Sequence, residues 1–315
     1  MELRTLGRTG LAVSIAGLGC GGHSRLGLTN GASQDQAVAV VHRALDLGIN
    51  LIDTARAYGT EEVVGRALAG RRDQVIVSTK AMPEVNGHLL SAEALRGSVE
   101  KSLQRLRTDH VDLFFVHGVG VQHLEHCRRV LAPELALMRG EGKIRFVAVS
   151  EAFARDTTHE ALSTALDAGD DWFDVAMVGF NLLNPSARGR VFAATQARGI
   201  GVLVMFAVRR ALSDPEVSRA VVADLVAKGD VDPATVADGV DPLGFLVHPD
   251  GATSVVDAAY RFARHEPGCD VVLTGTGSVD HLGENVRSIT AGPLPEVDLS
   301  RLRAMFGTVD SVSAN

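Results

Sequence analysis

A chain of 315 residues with 46% apolar and 22% charged residues has the make-up of a soluble folded protein, which argues against disordered, collagen-like and coiled-coil architectures. That length suits two ordinary domains or one large α/β barrel. With 31 Lys+Arg against 38 Asp+Glu the formal charge is -7, and basic runs never exceed two residues, so a phosphate-tracking nucleic-acid surface is not expected.

The N-terminal stretch LRTLGRTGLAV reads as a short β-hairpin turning around Gly7 to Gly10. After it, short β-branched runs alternate with segments whose apolar residues recur at three and four. Strands are expected at residues 13 to 19, 49 to 55, 74 to 80, 111 to 118, 144 to 150, 174 to 180, 201 to 207 and 271 to 275. Each is an apolar run of the kind buried on both faces. Helices are expected at 33 to 48, 61 to 70, 91 to 109, 131 to 142, 159 to 169, 184 to 199, 254 to 266 and 279 to 291. Parallel strands need long crossovers, and eight strands alternating with helices make a (β/α)8 TIM barrel, an α/β fold spanning 1 to 315 as a single domain. Ser33 with Gln36 forms a capping-box signature, while Gly48, Gly70, Gly169 and Gly199 sit where helices end. One long irregular segment, 207 to 253, follows the seventh strand and is a candidate lid. Within it SDPEVSRAVVADLVAKG reads as a helix.

GLGCGG satisfies G-x-G-x-x-G through Gly17, Gly19 and Gly22, directly after a strand-like run. The dinucleotide fingerprint also needs a helix opening on those glycines and an acidic residue ~20 positions on. Here the next helix signal waits until Ser33 and the acid at a strand end is Asp53, so the glycines read better as the end of the first barrel strand.

Catalytic groups of such barrels project from the C-terminal ends of the strands. Those ends read IDTARAYG, VIVSTK, LFFVHG and RFVAVS, which bring Asp53, Tyr58, Lys80, His117 and Ser150 to one face. Each alone has a plainer role: a helix cap for Asp53, a solvent-reaching cation for Lys80, a half-buried imidazole for His117, a loop aromatic for Tyr58. Convergence of an acid, a base, a cation and a phenol favours chemistry, the more so because the chain has only four lysines and two tyrosines.

In RTLGRTGLAVSIAGLGCG, INLIDTARAYG, VIVSTK, VDLFFVHG, EGKIRFVAVS and TGTGSVDHLGEN, in that order, the chain resembles the aldo-keto reductase superfamily from about Leu3 to Ile289. The resemblance implies a catalytic tetrad of Asp53, Tyr58, Lys80 and His117. It also implies cofactor contacts at Gly19, Cys20, Gly21, Ser150, Phe206, Gly275, Thr276, Gly277, Ser278, His281, Glu284 and Asn285. Ser150 would meet the nicotinamide, as would Phe206, for which a core phenylalanine is the plain alternative, and the TGTGS turn with the following helix N-terminus would meet the phosphates. The plain alternative for Ser278 is a helix cap. Two positions depart from the family pattern: Glu151 and Met177 stand where the carboxamide of the nicotinamide is usually held by Asn and Gln.

The chemistry of the four residues is coherent in itself. A free phenol is a poor acid at neutral pH, so Tyr58 needs the charge of Lys80, which Asp53 keeps paired, while His117 can bond the substrate oxygen. The expected activity is therefore an NAD(P)H-dependent oxidoreductase interconverting a carbonyl (aldehyde, ketone or sugar) and an alcohol by hydride transfer, with Tyr58 as general acid and base. NADP(H) is favoured on the resemblance and NAD(H) is the alternative, since His281 is the anchor expected for a 2'-phosphate and Arg287, six residues on, is not expected to share its face. The competing reading is a cofactor-binding, redox-sensing subunit of a larger assembly with little turnover. The expected partner is a small carbonyl or alcohol, without nucleic acid or membrane, and the oligomeric state stays open. Apolar runs near ten residues, a terminus (MELRTLGRTG) without a secretory stretch and three cysteines, Cys20, Cys127 and Cys269, without paired spacing point to the cytoplasm and to no metal site.

Overall fold

A computed structural model describes residues 1–236 and 241–315. Strands β1 (Leu3–Thr5) and β2 (Ala12–Ser14) form the expected antiparallel hairpin, with Leu3 opposite Ser14. The barrel starts at β3 (Ala16–Gly19) and continues with α1 (Gln34–Asp46), β4 (Leu51–Asp53), α2 (Glu61–Ala67) and β5 (Ile76–Ala81). A small hairpin, β6 (Glu84–Val85) and β7 (His88–Leu89), precedes α3 (Ala92–Leu106) and β8 (Val111–Val119). Then come α4 (Leu124–His126), α5 (Ala132–Gly140), β9 (Ile144–Glu151), α6 (Glu160–Asp167), β10 (Val175–Gly179), α7 (Ala193–Ala197) and β11 (Gly201–Met205). Helices α8 (Arg210–Ser213), α9 (Pro215–Lys228) and α10 (Val255–Arg264) lead to β12 (Val271–Thr274), α11 (Val279–Thr290) and α12 (Glu296–Phe306). Strands β3, β4, β5, β8, β9, β10, β11 and β12 pair in parallel and close on themselves. The eight-stranded (β/α)8 barrel with its N-terminal hairpin is therefore the fold.

The unbroken apolar runs follow from burial on two sides. Leu113 and Phe115 of β8 pack inside the barrel, whereas Phe114 and Val116 pack outward against the helices. At the N-terminal end of the barrel the hairpin acts as a plug. Leu6, Leu11 and Val13 join the inner cluster with Leu51, Val175 and Val271, and the loop lies so close that a Cβ on Gly7 would meet Gly201 N at 2.3 Å.

Several boundaries differ from the sequence expectation. Residues 13 to 19 are two strands, because Asn50 takes the Ser14 N–H at 2.7 Å and Ser14 Oγ donates to Ala16 O, which breaks the run at Ile15. The helix expected at 184 to 199 becomes regular only near its end: Asn181 Oδ1 accepts from Leu183 N and Asn184 N, and Asn184 Oδ1 from Ser186 N. These side chains take backbone donors that a helix would otherwise use. The helix expected from 131 starts earlier, with α4 and a π-wound stretch Cys127–Leu131. The capping box at Ser33 and Gln36 is present, and α9 falls on the helix read within 207 to 253. Of that long segment, residues 237 to 240 lie outside the described residues. No helix opens on Gly17, Gly19 and Gly22; a 3-10 turn, Arg25–Asn30, intervenes before α1. Among the described residues no helix is long and apolar enough to cross a membrane.

Candidate active site

Barrel register assembles the tetrad. Gly19 lies beside Asp53 and Asp53 beside Ser78, while Lys80 pairs with Phe115 two residues before His117. Alternation along β5 sends Ser78 and Lys80 to the Asp53 side and Thr79 outward, where its hydroxyl donates to Glu61 Oε1 at 2.6 Å. Tyr58 sits on a one-turn 3-10 segment, Arg56–Tyr58, just past β4. His117 sits in an irregularity of the β8 ladder between Val116 and Val119, where Gly118 has a φ of 68°. A bulge of this kind re-aims a side chain at a barrel rim.

Lys80, 1% exposed, donates to Asp53 Oδ1 and, at 3.0 Å, to Thr54 O. Ser78 Oγ adds a 2.5 Å bond to the same carboxylate oxygen. The Lys80 ammonium lies 5.1 Å from the Tyr58 ring centroid, and Tyr58 OH lies 3.3 Å from His117 Nε2, the two rings edge-on at 89°. Gly21 is packed under the phenol: a Cβ there would come within 2.5 Å of the Tyr58 ring.

Burial penalises the charge on Lys80, yet the Asp53 carboxylate, with Tyr58 beside it, outweighs that and holds the lysine pKa above its ordinary value. Burial pushes the Tyr58 phenol up and the positive Lys80 pulls it back only in part, so the net direction is upward. The charge expected to make the phenol a better acid is thus in place, while desolvation wins the balance. Burial, with Lys80 nearby, drives His117 down to about 3, so its ring is neutral at physiological pH. A neutral imidazole has one donor and one acceptor nitrogen. Nε2 faces Tyr58 and Nδ1 has no protein partner among the described residues.

A cleft of about 1480 Å³ opens from this point. Asp53, Tyr58, Gly19, Gly21, Phe206, Gly275, Thr276, His281, Glu284 and Asn285 line it. Lys80 is buried beneath this lining, and His117, partly buried, adjoins it through its contact with Tyr58 OH. Cys20 is fully buried with its thiol pushed up by burial. Ser150 is also buried, its hydroxyl accepting from Gly118 N at 3.0 Å. Gly277 and Ser278 shape the turn: a Cβ on Gly277 would strike Gly27 Cα at 2.4 Å, one on Gly275 would reach Gly19 O at 3.0 Å, and Ser278 Oγ caps α11 by accepting from His281 N. Asn285 donates to Thr274 Oγ1 at 2.9 Å, and Tyr260 OH shares that oxygen at 2.8 Å. This glycine-bare strand end under the N-terminus of α11 fits a phosphate-bearing cofactor.

The two departures at the carboxamide position have separate fates. Met177 lines the cleft as an apolar side chain. Glu151 turns away: its carboxylate accepts from Gly179 N at 2.6 Å and meets His159 Nδ1 at 2.9 Å, fully buried, with its pKa raised by that burial. His159 stacks on Phe153, whose ring meets Phe206 edge-on at 5.4 Å. Phe206 itself carries a left-handed φ of 64°, which turns its ring into the cleft.

Sequence reasoning missed Arg209 and set Arg287 aside. Arg287 lines the same cleft as His281, although six residues separate them on α11. Arg209 lies 4.3 Å over the Phe206 ring. Its only signal in the sequence is its place just after the seventh strand.

The Aldo/keto reductase family model matches residues 17–306. The solved structure of PA4992 from Pseudomona aeruginosa is 31% identical, with a TM-score of 0.63 over 91% of this chain and 93% of that one. An aldo/keto reductase from Klebsiella pneumoniae, crystallised with NADP and acetate, is 22% identical and shares the fold at a TM-score of 0.71 over 99% and 97% of the two chains. L-galactose dehydrogenase of Arabidopsis thaliana is 39% identical over 157 residues, 48% of this chain and 48% of that protein, so the chain spans about half the length of the curated relatives it matches. A closed eight-stranded barrel, a phenol, lysine, carboxylate and imidazole gathered at its strand ends and a family match over nearly the whole chain make this protein a member of the aldo/keto reductase family.

Proposed function

We propose that the protein interconverts a small carbonyl compound and an alcohol with NAD(P)(H), using Tyr58 as general acid in reduction and general base in oxidation. The observation that carries this reading is the phenol at the cleft floor, 3.3 Å from His117 Nε2 and beside the buried Lys80–Asp53 pair. When bound, the nicotinamide supplies the hydride. Tyr58 OH delivers the proton to the oxygen that becomes the alcohol, and the fixed charge of Lys80 stabilises the phenolate left behind. Asp53 keeps Lys80 protonated and aimed. The neutral His117 ring orients the substrate oxygen by hydrogen bonding rather than by charge. Ser278 and the first turn of α11 would receive phosphate, Glu284 and Asn285 would line the adenosine end, and Phe206 would pack against the nicotinamide.

NADP(H) is the favoured form, because His281 and Arg287 both line the cleft along α11 and together would hold a 2'-phosphate. NAD(H) remains usable where those contacts are lost. The test is a panel of aldehydes, ketones and aldoses followed in both directions by the absorbance of the reduced nicotinamide; the partial likeness to L-galactose dehydrogenase places aldoses in the panel. Turnover that is lost in Tyr58→Phe is the expected result. Tight nicotinamide binding with no turnover on any member would overturn it in favour of a redox-sensing subunit.

A further inference from the structure

Among the described residues Arg209 is a cation without an acid. Its Nε donates to the neutral amide oxygen of Asn315 at 2.8 Å, Nη2 donates to the same oxygen, and its guanidinium covers the Phe206 ring at 4.3 Å. No carboxylate among the described residues lies within ion-pair distance of it. The next arginine, Arg210, does have an acid, Asp214 at 3.9 Å. Burial lowers the pKa of Arg209, so the cleft wall holds a partly desolvated guanidinium that a bound anion would stabilise.

Its position selects which anion. The loop after β3 touches three things in succession: a Cβ on Gly21 would meet the Tyr58 ring at 2.5 Å, one on Gly22 would lie 3.7 Å from Arg209 Nη1, and Gly27 packs on Gly277 of the phosphate turn. Arg209 and the proton donor thus lie against adjacent residues, whose Cα atoms are about 3.8 Å apart. The phosphate turn lies five residues further along that loop.

We propose that Arg209 is a specificity-determining residue and that the substrates favoured by this cleft are carbonyl compounds carrying a carboxylate a few bonds from the reacting carbon. This rests on the carbonyl-reducing reading above. The carboxylate accepts two parallel N–H bonds from the guanidinium while the carbonyl oxygen meets Tyr58 OH. The remaining cleft beside Met177 and Met205 is apolar and takes the intervening carbons.

The test compares wild type, Arg209→Met and Arg209→Lys on matched probes, succinic semialdehyde against butanal and glucuronate against glucose. Wild type should favour the acid by about tenfold or more in kcat/KM, corresponding to one decade of differential affinity. Arg209→Met should erase that preference through KM, Arg209→Lys should keep part of it, and nicotinamide affinity measured by fluorescence should stay within about twofold. In parallel, malonate, which has no carbonyl to reduce, is titrated into the enzyme–nicotinamide complex, and Arg209→Met should weaken its binding about tenfold. Equal treatment of acid and neutral probes by wild type overturns the proposal. So does a loss of nicotinamide affinity in Arg209→Met with the acid preference intact, which would make the guanidinium a cofactor-phosphate contact. If no carbonyl is turned over, the failure belongs to the activity, and malonate binding equal in wild type and Arg209→Met overturns the role of Arg209 separately.

Discussion

At the scale of single residues, the proposed role of Tyr58 ties the pH behaviour to the balance at its phenol. Burial raises the phenol pKa and Lys80 lowers it by less, so the group stays protonated across the neutral range. Reduction needs the protonated phenol, so log kcat for reduction should be flat from about pH 6 to 9 and fall only near or above the ordinary phenol value of about 10. Oxidation needs the phenolate and should rise with pH. A reduction profile that breaks near neutrality would place the proton on another group. Tyr58→Phe should lower turnover by about 100-fold or more with cofactor affinity nearly unchanged, because only the donor is removed. Lys80→Met should match that loss and also destabilise the fold by about 3–5 kcal/mol, since Asp53 is left buried without its cation. A Lys80→Met enzyme with normal stability would mean that the pair relaxes or hydrates. His117 gives a second pH window. Its folded pKa is about 3 and an unfolded histidine titrates near 6.5, so below 6.5 the unfolded chain binds a proton that the fold refuses. Stability should therefore fall as pH drops from 6.5 toward 3, and urea unfolding should show a shallower fall for His117→Gln.

At the scale of elements, the glycine loop after β3 and described residues of the long segment after β11 both line the cleft. Gly21→Ala pushes a methyl into the Tyr58 ring, and the ring edge can yield where backbone could not. The variant should fold with nearly wild-type stability and lose roughly tenfold in kcat, as expected when a proton donor is misplaced by a fraction of an ångström. Gly277→Ala differs because its Cβ meets Gly27 backbone, so it should lower nicotinamide affinity and stability together. The 207 to 253 segment contributes Val208, Arg209, Arg210, Ser213, Val217 and Thr253 to the cleft wall. We propose that it covers bound cofactor, in which case limited proteolysis within it slows when NADPH is added. Cleavage at the same rate with and without NADPH would remove the lid assignment.

At the scale of the whole molecule, the hairpin and the active site occupy opposite ends of one barrel, which separates stability from chemistry. Leu6 is fully buried among inner-barrel residues such as Leu51, Val175 and Val271 at the strand starts, whereas Tyr58 follows the end of β4. Leu6→Ala should cost about 2–5 kcal/mol in unfolding free energy and leave kcat unchanged at temperatures well below the transition. A parallel loss of kcat would show that the plug transmits strain through the barrel.

Local pattern was enough to read the barrel and its hairpin, and it singled out the four residues, Asp53, Tyr58, Lys80 and His117, that the barrel gathers at the candidate site. A strand buried on both faces must be apolar throughout, so polar residues at its C-terminal end stand out, and Asp53, Lys80 and His117 each follow such a run. Boundaries set by side chains from elsewhere were not legible: Asn50 splits the first run and Asn181 with Asn184 delays a helix, through bonds that no periodicity records. Nor could spacing show that Glu151 leaves the cleft for His159, or that Arg287 shares a wall with His281. Arg209 was the least visible of all, because the absence of a paired carboxylate among the described residues is a property of the folded cleft wall. Sequence determines which groups are available and how strands alternate; only the closed barrel decides which charges meet, which are desolvated and which face an open cleft, because those are properties of distance and dielectric rather than of order along the chain.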